Sequence, residues 1–361
     1  MTDLLTDLTR RGLAIWLDDL DRRAIADGTL ARLMSERHVT GVTSNPAIFA
    51  RSITGSSAYD GTLRDLRRRG AGVDEARRAL TTWDVRAACD VLRPVFEETG
   101  GNDGMVSIEV DPRFAYDSGA TVADARGLWW QVDRPNLLVK IPATKQGLAA
   151  ITACLAEGIS VNGTLIFSAT RYGEVFEAFV VGMAKAARGG HDLHRIASVA
   201  SLFVSRVDTA VDRVLRSTDR FDELRGRAGL ANARLAAQIF DQRVNGDDWL
   251  VLADAGARPQ KLLWASTGVK DPAYDDTRYV TGLALPGTIN TMPVATLDAV
   301  ANRPALRAVE AYPHPADELK VVQDAGVDLD GVMERLENDG VTAFADAWAA
   351  LGRTIAQRLD A

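Results

Sequence analysis

The chain has 361 residues, 47% hydrophobic and 25% charged, the balance of a globular protein long enough to bury a sizeable core without staples. Its 42 basic and 49 acidic side chains leave a net charge of −7, which argues against a nucleic-acid or membrane-surface partner but allows a small basic pocket. Two cysteines and four scattered histidines make neither a disulfide framework nor a metal-ligand spacing.

The opening stretch MTDLLTDLTRRG lacks the apolar run of a signal peptide, and the chain lacks the roughly 18 consecutive apolar residues that suggest a membrane span. A cytoplasmic location is expected. Short apolar, β-rich runs then alternate with helical stretches. The runs are AIWLDD (14–19), HVTGVTSNP (38–46), VSIEVDP (106–112), NLLVKIP (136–142), ISVNGTLIFS (159–168), IASVASLFVSR (196–206), KLLWAST (261–267) and the stretch VTGLALPGTINTMP (280–293). Between them, 22–36, 119–132, 145–156 and 170–187 carry apolar residues at near-helical spacing.

Strands alternating with helices imply parallel strands joined by right-handed crossovers. Eight repeats predict an α/β fold, a (β/α)8 TIM barrel, across 1–361 as one domain. An open doubly wound sheet would want a glycine-rich turn after its first strand, where this chain has WLDDLDR. Additional helices are expected at the N-terminus, after strands 2 and 6 (about 50–103 and 207–258), and in a C-terminal segment (about 294–361).

Active sites of such barrels lie at the C-terminal ends of the strands. Those ends carry Asp18, Asn45, Glu109, Lys140, Asn162, Thr164, Ser201, Arg206, Ser266 and, just beyond, Lys270. None is His or Cys, which argues against metal-assisted hydrolysis and Cys–His catalysis. Lys140 stands out because the chain seldom uses lysine: only positions 140, 145, 185, 261, 270 and 320 carry it. An ammonium in the middle of an apolar strand is costly without a partner. A lysine amine that is neutral can attack a carbonyl, so the set suits Schiff-base chemistry. In the strand period, Leu138 and Pro142 share the face of Lys140, and shielding is expected to come largely from neighbouring strands.

Singly, each residue has an ordinary structural reading. Lys140 and Glu109 could be a buried ion pair, Asp18 a helix cap, Asn45-Pro46 a turn, Arg206 an acid's partner, and Thr164 a strand residue. What raises the functional reading is that they fall near the ends of different strands of one barrel.

The stretches WLDD, GVTSNPAIF, VSIEVDPRFAYD, NLLVKIPATKQGLAAI, GISVNGTLIFS, ASLFVSRVD, LLWASTGVKDP and TINTMP, in this order, resemble the transaldolases. The likeness is closest to the longer bacterial type, also found fused to a glucose-6-phosphate isomerase, for which this chain is too short. The resemblance implies that Lys140 forms the Schiff base, that Glu109 acts through a water held by Thr164, and that Asp18 is the acid/base of carbon–carbon cleavage. It implies that Asn45 and Asn162 bind substrate hydroxyls, that Ser201 and Phe203 line the donor site, and that Arg206 binds phosphate. Ser266 and Lys270 are candidates for a second phosphate ligand. It also implies sugar phosphates as substrates, no metal or organic cofactor, and a place in the non-oxidative pentose phosphate pathway. A homo-oligomer is compatible with the sequence but not fixed by it. Two alternatives stand beside this reading: a class I fructose-6-phosphate aldolase that releases free dihydroxyacetone, and a non-catalytic sugar-phosphate binder. The binder would need Arg206 and the amides but not a neutral lysine.

Overall fold

The computed structural model describes residues 3–306 and 314–360. Its strands are β1 (Ala14–Leu17), β2 (Val39–Thr43), β3 (Val106–Glu109), β4 (Leu137–Pro142), β5 (Val161–Ile166), β6 (Ser198–Phe203), β7 (Lys261–Ala265) and β8 (Ile289–Met292). Each pairs in parallel with the next, and β1 also pairs with β8, so the sheet closes in sequence order. The expected barrel is the one observed.

Strands buried on both faces explain the near-continuous apolar runs. Val139, Ile141, Val161 and Ile166 belong to the outer core beneath the helices. Leu138, Trp16, Leu263 and Ile289 belong to the inner core. Toward the N-terminal end of the barrel the indole of Trp16 lies against β2 at Gly41, where any Cβ would come 2.4 Å from the ring. Its N–H donates to Asp103 Oδ1 at 2.8 Å.

The helices depart from expectation in two places. The stretch 22–36 is two helices, Arg22–Ala26 and Thr29–Arg37, because Gly28 between them takes φ 78°. In the eighth run only Ile289–Met292 is a strand; the earlier part holds the short helix Arg278–Thr281 and a turn at Pro286-Gly287. A proline followed by a glycine at φ 76° favours a turn over a continued strand.

Both long intervals are helical. The first carries Pro46–Thr54, Asp60–Arg68 and Val73–Glu98; the second carries Ser205–Leu215, Phe221–Leu224, Ala228–Arg243 and Asp247–Asp254. Leu4–Arg10 precedes the barrel, and Val294–Ala301, Pro315–Asp324 and Leu329–Asp360 follow it. The last helix crosses the C-terminal end of the barrel. It packs on the helices that follow β2 and β6 and on the end of β5. Among the described residues no helix is long and apolar enough to cross a membrane.

Candidate active site

Register places the central groups. Glu109 on β3 is level with Lys140 on β4, which is level with Asn162 on β5; Thr164 is level with Pro142. Lys140 is 5% exposed. Its Nζ lies 4.0 Å from Glu109 Oε2 and donates to the Ser44 carbonyl at 3.3 Å. The ring of Phe344, on the C-terminal helix, is centred 5.6 Å from Nζ. The shielding expected from neighbouring strands is thus completed by a loop carbonyl and by a helix from the far end of the chain.

Glu109 is buried, and neither of its carboxylate oxygens has a hydrogen-bond partner among the described residues. Burial pushes its carboxyl up to about 7, against the pull of the Lys140 ammonium and with a smaller push from Asp18. The Thr164 hydroxyl is likewise buried and unpartnered. Beyond it the strand is irregular: Leu165 sits at φ 57°, where β5 slips register against β6. A left-handed leucine costs roughly 1–3 kcal/mol. Here it turns the leucine into the inner core beside Phe167 and Phe344, while Ile166 keeps to the outer core.

Asp18 follows β1, its N–H held by the Met292 carbonyl at 2.8 Å. Its Oδ1 accepts from Thr43 at 2.9 Å, and Thr43 meets the Thr291 hydroxyl at 2.7 Å. Burial raises the Asp18 carboxyl, countered first by Lys140 and then by the Thr43 hydrogen bond. Asn45 caps the helix Pro46–Thr54, accepting from the Ile48 N–H at 3.0 Å, with Pro46 in the first turn where no amide hydrogen is needed.

These groups open on a cavity of about 470 Å³. Asp18, Asn45, Lys140, Ser201, Phe203, Arg206, Ser266 and Lys270 all line it. Glu109, Thr164 and Asn162 stand in the wall behind. The Asn162 amide is engaged on both sides, donating to Ser107 Oγ at 3.0 Å and accepting from Ser201 Oγ at 2.7 Å. In this geometry it holds Ser201 in place.

Arg206 opens the helix after β6, stacks 5.6 Å from the centre of the Phe203 ring, and makes no ion pair among the described residues. Burial lowers its guanidinium, and the Asp18 charge opposes this. Ser266 takes φ 54° at the end of β7, its hydroxyl 3.0 Å from that of Ser205. Arg206, Lys270 and Arg51 give the cavity a cationic lining suited to a phosphate dianion. Arg51 and Phe344 were not foreseen. Arg51 was legible as an arginine on the first helix after the SNP turn. Phe344 gave no signal, because nothing local ties the C-terminal helix to β4.

A buried lysine beside a buried carboxyl inside a parallel eight-stranded barrel, opening on a cation-lined cavity, defines an α/β-barrel enzyme of carbonyl chemistry. Residues 15–355 match the Transaldolase/Fructose-6-phosphate aldolase family, and the chain belongs to it. It is 53% identical to "Transaldolase" of Thermobifida fusca, over 99% of this chain and 98% of that protein. It is 51% identical to "Transaldolase" of Acidothermus cellulolyticus, over 100% and 98%. It is 52% identical to "Transaldolase 1" of Streptomyces coelicolor, over 99% and 95%.

Proposed function

We propose that the chain is a transaldolase, moving a dihydroxyacetone unit from a ketose phosphate to an aldose phosphate in the non-oxidative pentose phosphate pathway of the cytoplasm. The donor is sedoheptulose 7-phosphate or fructose 6-phosphate; the acceptor is glyceraldehyde 3-phosphate or erythrose 4-phosphate. The observation that carries this reading is Lys140: an amine buried in the barrel wall, 4.0 Å from Glu109 and open to the cavity that Arg206 and Lys270 line.

In the proposed cycle Lys140 Nζ attacks the C2 ketone. Glu109, through a water held by Thr164, moves protons as the carbinolamine loses water and becomes an imine. Its carboxyl, raised to about 7, can both take and give a proton near neutrality. The protonated imine withdraws electrons, Asp18 removes the proton of the C4 hydroxyl, and the C3–C4 bond breaks. An aldose phosphate leaves, and the three-carbon unit stays on Nζ as an enamine. The acceptor aldehyde then takes the enamine C3, and the steps run in reverse. Asn45 and Ser201 bind hydroxyls, with Asn162 behind Ser201. Arg206 anchors the phosphate, assisted by Lys270 and Ser266, so binding energy far from the reacting carbons orients them.

The test is borohydride reduction in the presence of fructose 6-phosphate, followed by mapping of the adduct. A three-carbon adduct on Lys140, absent from Lys140→Met, is expected, and Lys140→Met should lose transfer altogether. An adduct on another lysine would overturn the site. Assays with and without erythrose 4-phosphate separate transferase from aldolase: a transferase consumes donor only when acceptor is present.

A further inference from the structure

The C-terminal helix Leu329–Asp360 lies over the mouth of the barrel and turns Ala343, Phe344 and Ala347 toward the cavity. Positions spaced by three and four residues share a helix face, as 344/347 and 343/347 do. None of the three carries a polar side-chain atom. Phe344 is 8% exposed, and its ring sits over Lys140 Nζ at 5.6 Å, within the range of a cation–π contact.

The helix is pinned on both sides of this residue. Before it, Glu337 Oε2 accepts from Arg171 Nε at 3.0 Å, and Tyr116 donates to Asn338 Oδ1 at 3.1 Å. Gly340 rides so close to the end of β5 that an added Cβ would lie 3.2 Å from Leu165 and from Phe167. After it, the Arg77 guanidinium stacks 4.3 Å from the Trp348 ring, and Arg358 donates to the Ser56 carbonyl at 3.2 Å. Phe344 is therefore a fixed wall.

We infer that Phe344 is a specificity-determining residue: it keeps water from the three-carbon unit held on Lys140, so that the unit waits for an aldehyde instead of being hydrolysed. This rests on the Schiff-base reading of Lys140. Two fates compete for the enamine. In transfer, its C3 attacks the acceptor aldehyde carbon, a C–C bond forms, and the aldehyde oxygen takes a proton from Asp18. In hydrolysis, C3 instead takes a proton delivered by solvent, and water then adds at C2. The C2–N bond then breaks with its electron pair returning to Nζ, the water's protons pass to the departing amine, and free dihydroxyacetone leaves. Water must reach C2 to release the product of either fate, so the fates part at C3, which is lost to transfer once it takes a proton from solvent; the Phe344 ring, 5.6 Å from Nζ, closes the amine to bulk solvent on the side of the C-terminal helix. Excluding water from a reactive intermediate is a recognised task of a closed site.

The experiment measures dihydroxyacetone released per transfer event, with fructose 6-phosphate as donor and erythrose 4-phosphate as acceptor, for the unaltered chain, Phe344→Val and Phe344→Ala. Borohydride trapping on Lys140 is run alongside. The release-to-transfer ratio should rise about threefold in Phe344→Val and about tenfold or more in Phe344→Ala as water gains access. An unchanged ratio in a folded variant that still traps on Lys140 overturns the inference, even if the overall rate falls. If Phe344→Ala does not fold, Phe344→Val decides. If the unaltered chain does not trap on Lys140, the Schiff-base reading has failed, which is distinguishable from a failure confined to Phe344.

Discussion

Glu109 ends β3 with both carboxylate oxygens buried and without a hydrogen-bond partner among the described residues, and with its carboxyl pushed up to about 7. A carboxyl raised in the folded chain holds its proton more tightly there than in the unfolded chain. Its contribution to stability therefore falls as pH climbs from the ordinary carboxylate range to about 7 and is level above that. Glu109→Gln removes this slope. Chemical denaturation should find the variant more stable than the unaltered chain at pH 8, by on the order of 2 kcal/mol, with the gap narrowing toward pH 5. Transfer should fall at least about a hundredfold in the same variant, since it cannot relay protons. Arg206 is the opposite case, a half-buried cation facing the cavity without an ion-pair partner among the described residues. Arg206→Ala should lower kcat/KM for phosphorylated donors by about 10–100-fold, the scale of one or two hydrogen bonds to a charged group. Steady-state kinetics with dihydroxyacetone donors that lack phosphate should show little change; equal losses on both would remove Arg206 from the phosphate site.

At the scale of elements, the two long insertions serve to hold the strand ends. In the first, Arg22 is sandwiched 4.1 Å from the Tyr59 ring and 4.3 Å from the Trp83 ring, while its Nε donates to Asp84 at 2.6 Å. Tyr59 donates to the other Asp84 oxygen at 2.9 Å. This ties the helix Val73–Glu98 to the segment that leaves β1. In the second, Asp208 and Asp212 accept from Tyr279 and Tyr274, fastening the helix after β6 to the loop between β7 and β8. Asp84→Ala would leave the Arg22 guanidinium buried with its charge uncompensated, at a cost of about 3–5 kcal/mol. The midpoint of urea unfolding should drop accordingly, with activity per folded molecule retained, because none of these groups lines the cavity. The helix Leu329–Asp360 touches both insertions and the end of β5.

At the scale of the whole molecule, the barrel was legible because each strand announces itself locally: a short apolar run buried on both faces, followed by a helix. Polar residues breaking those runs at their C-terminal ends, Lys140 above all, pointed to the site, since a buried ammonium needs a reason. The split at Gly28 and the late start of β8 were missed because one glycine or one turn reverses a pattern averaged over many residues. The order of strands, their parallel pairing and the anomaly of a lysine inside an apolar strand were written in the linear chain, in periodicity and in the expense of burying charge. Three-dimensional packing settled what depends on distant residues meeting: that Asn162 turns to Ser201, that Glu109 stands beside Lys140 without a hydrogen-bond partner among the described residues, and that Phe344 covers it. Those are contacts across the barrel and between its two ends, and desolvation depends on everything within a few ångströms, whatever its distance along the chain.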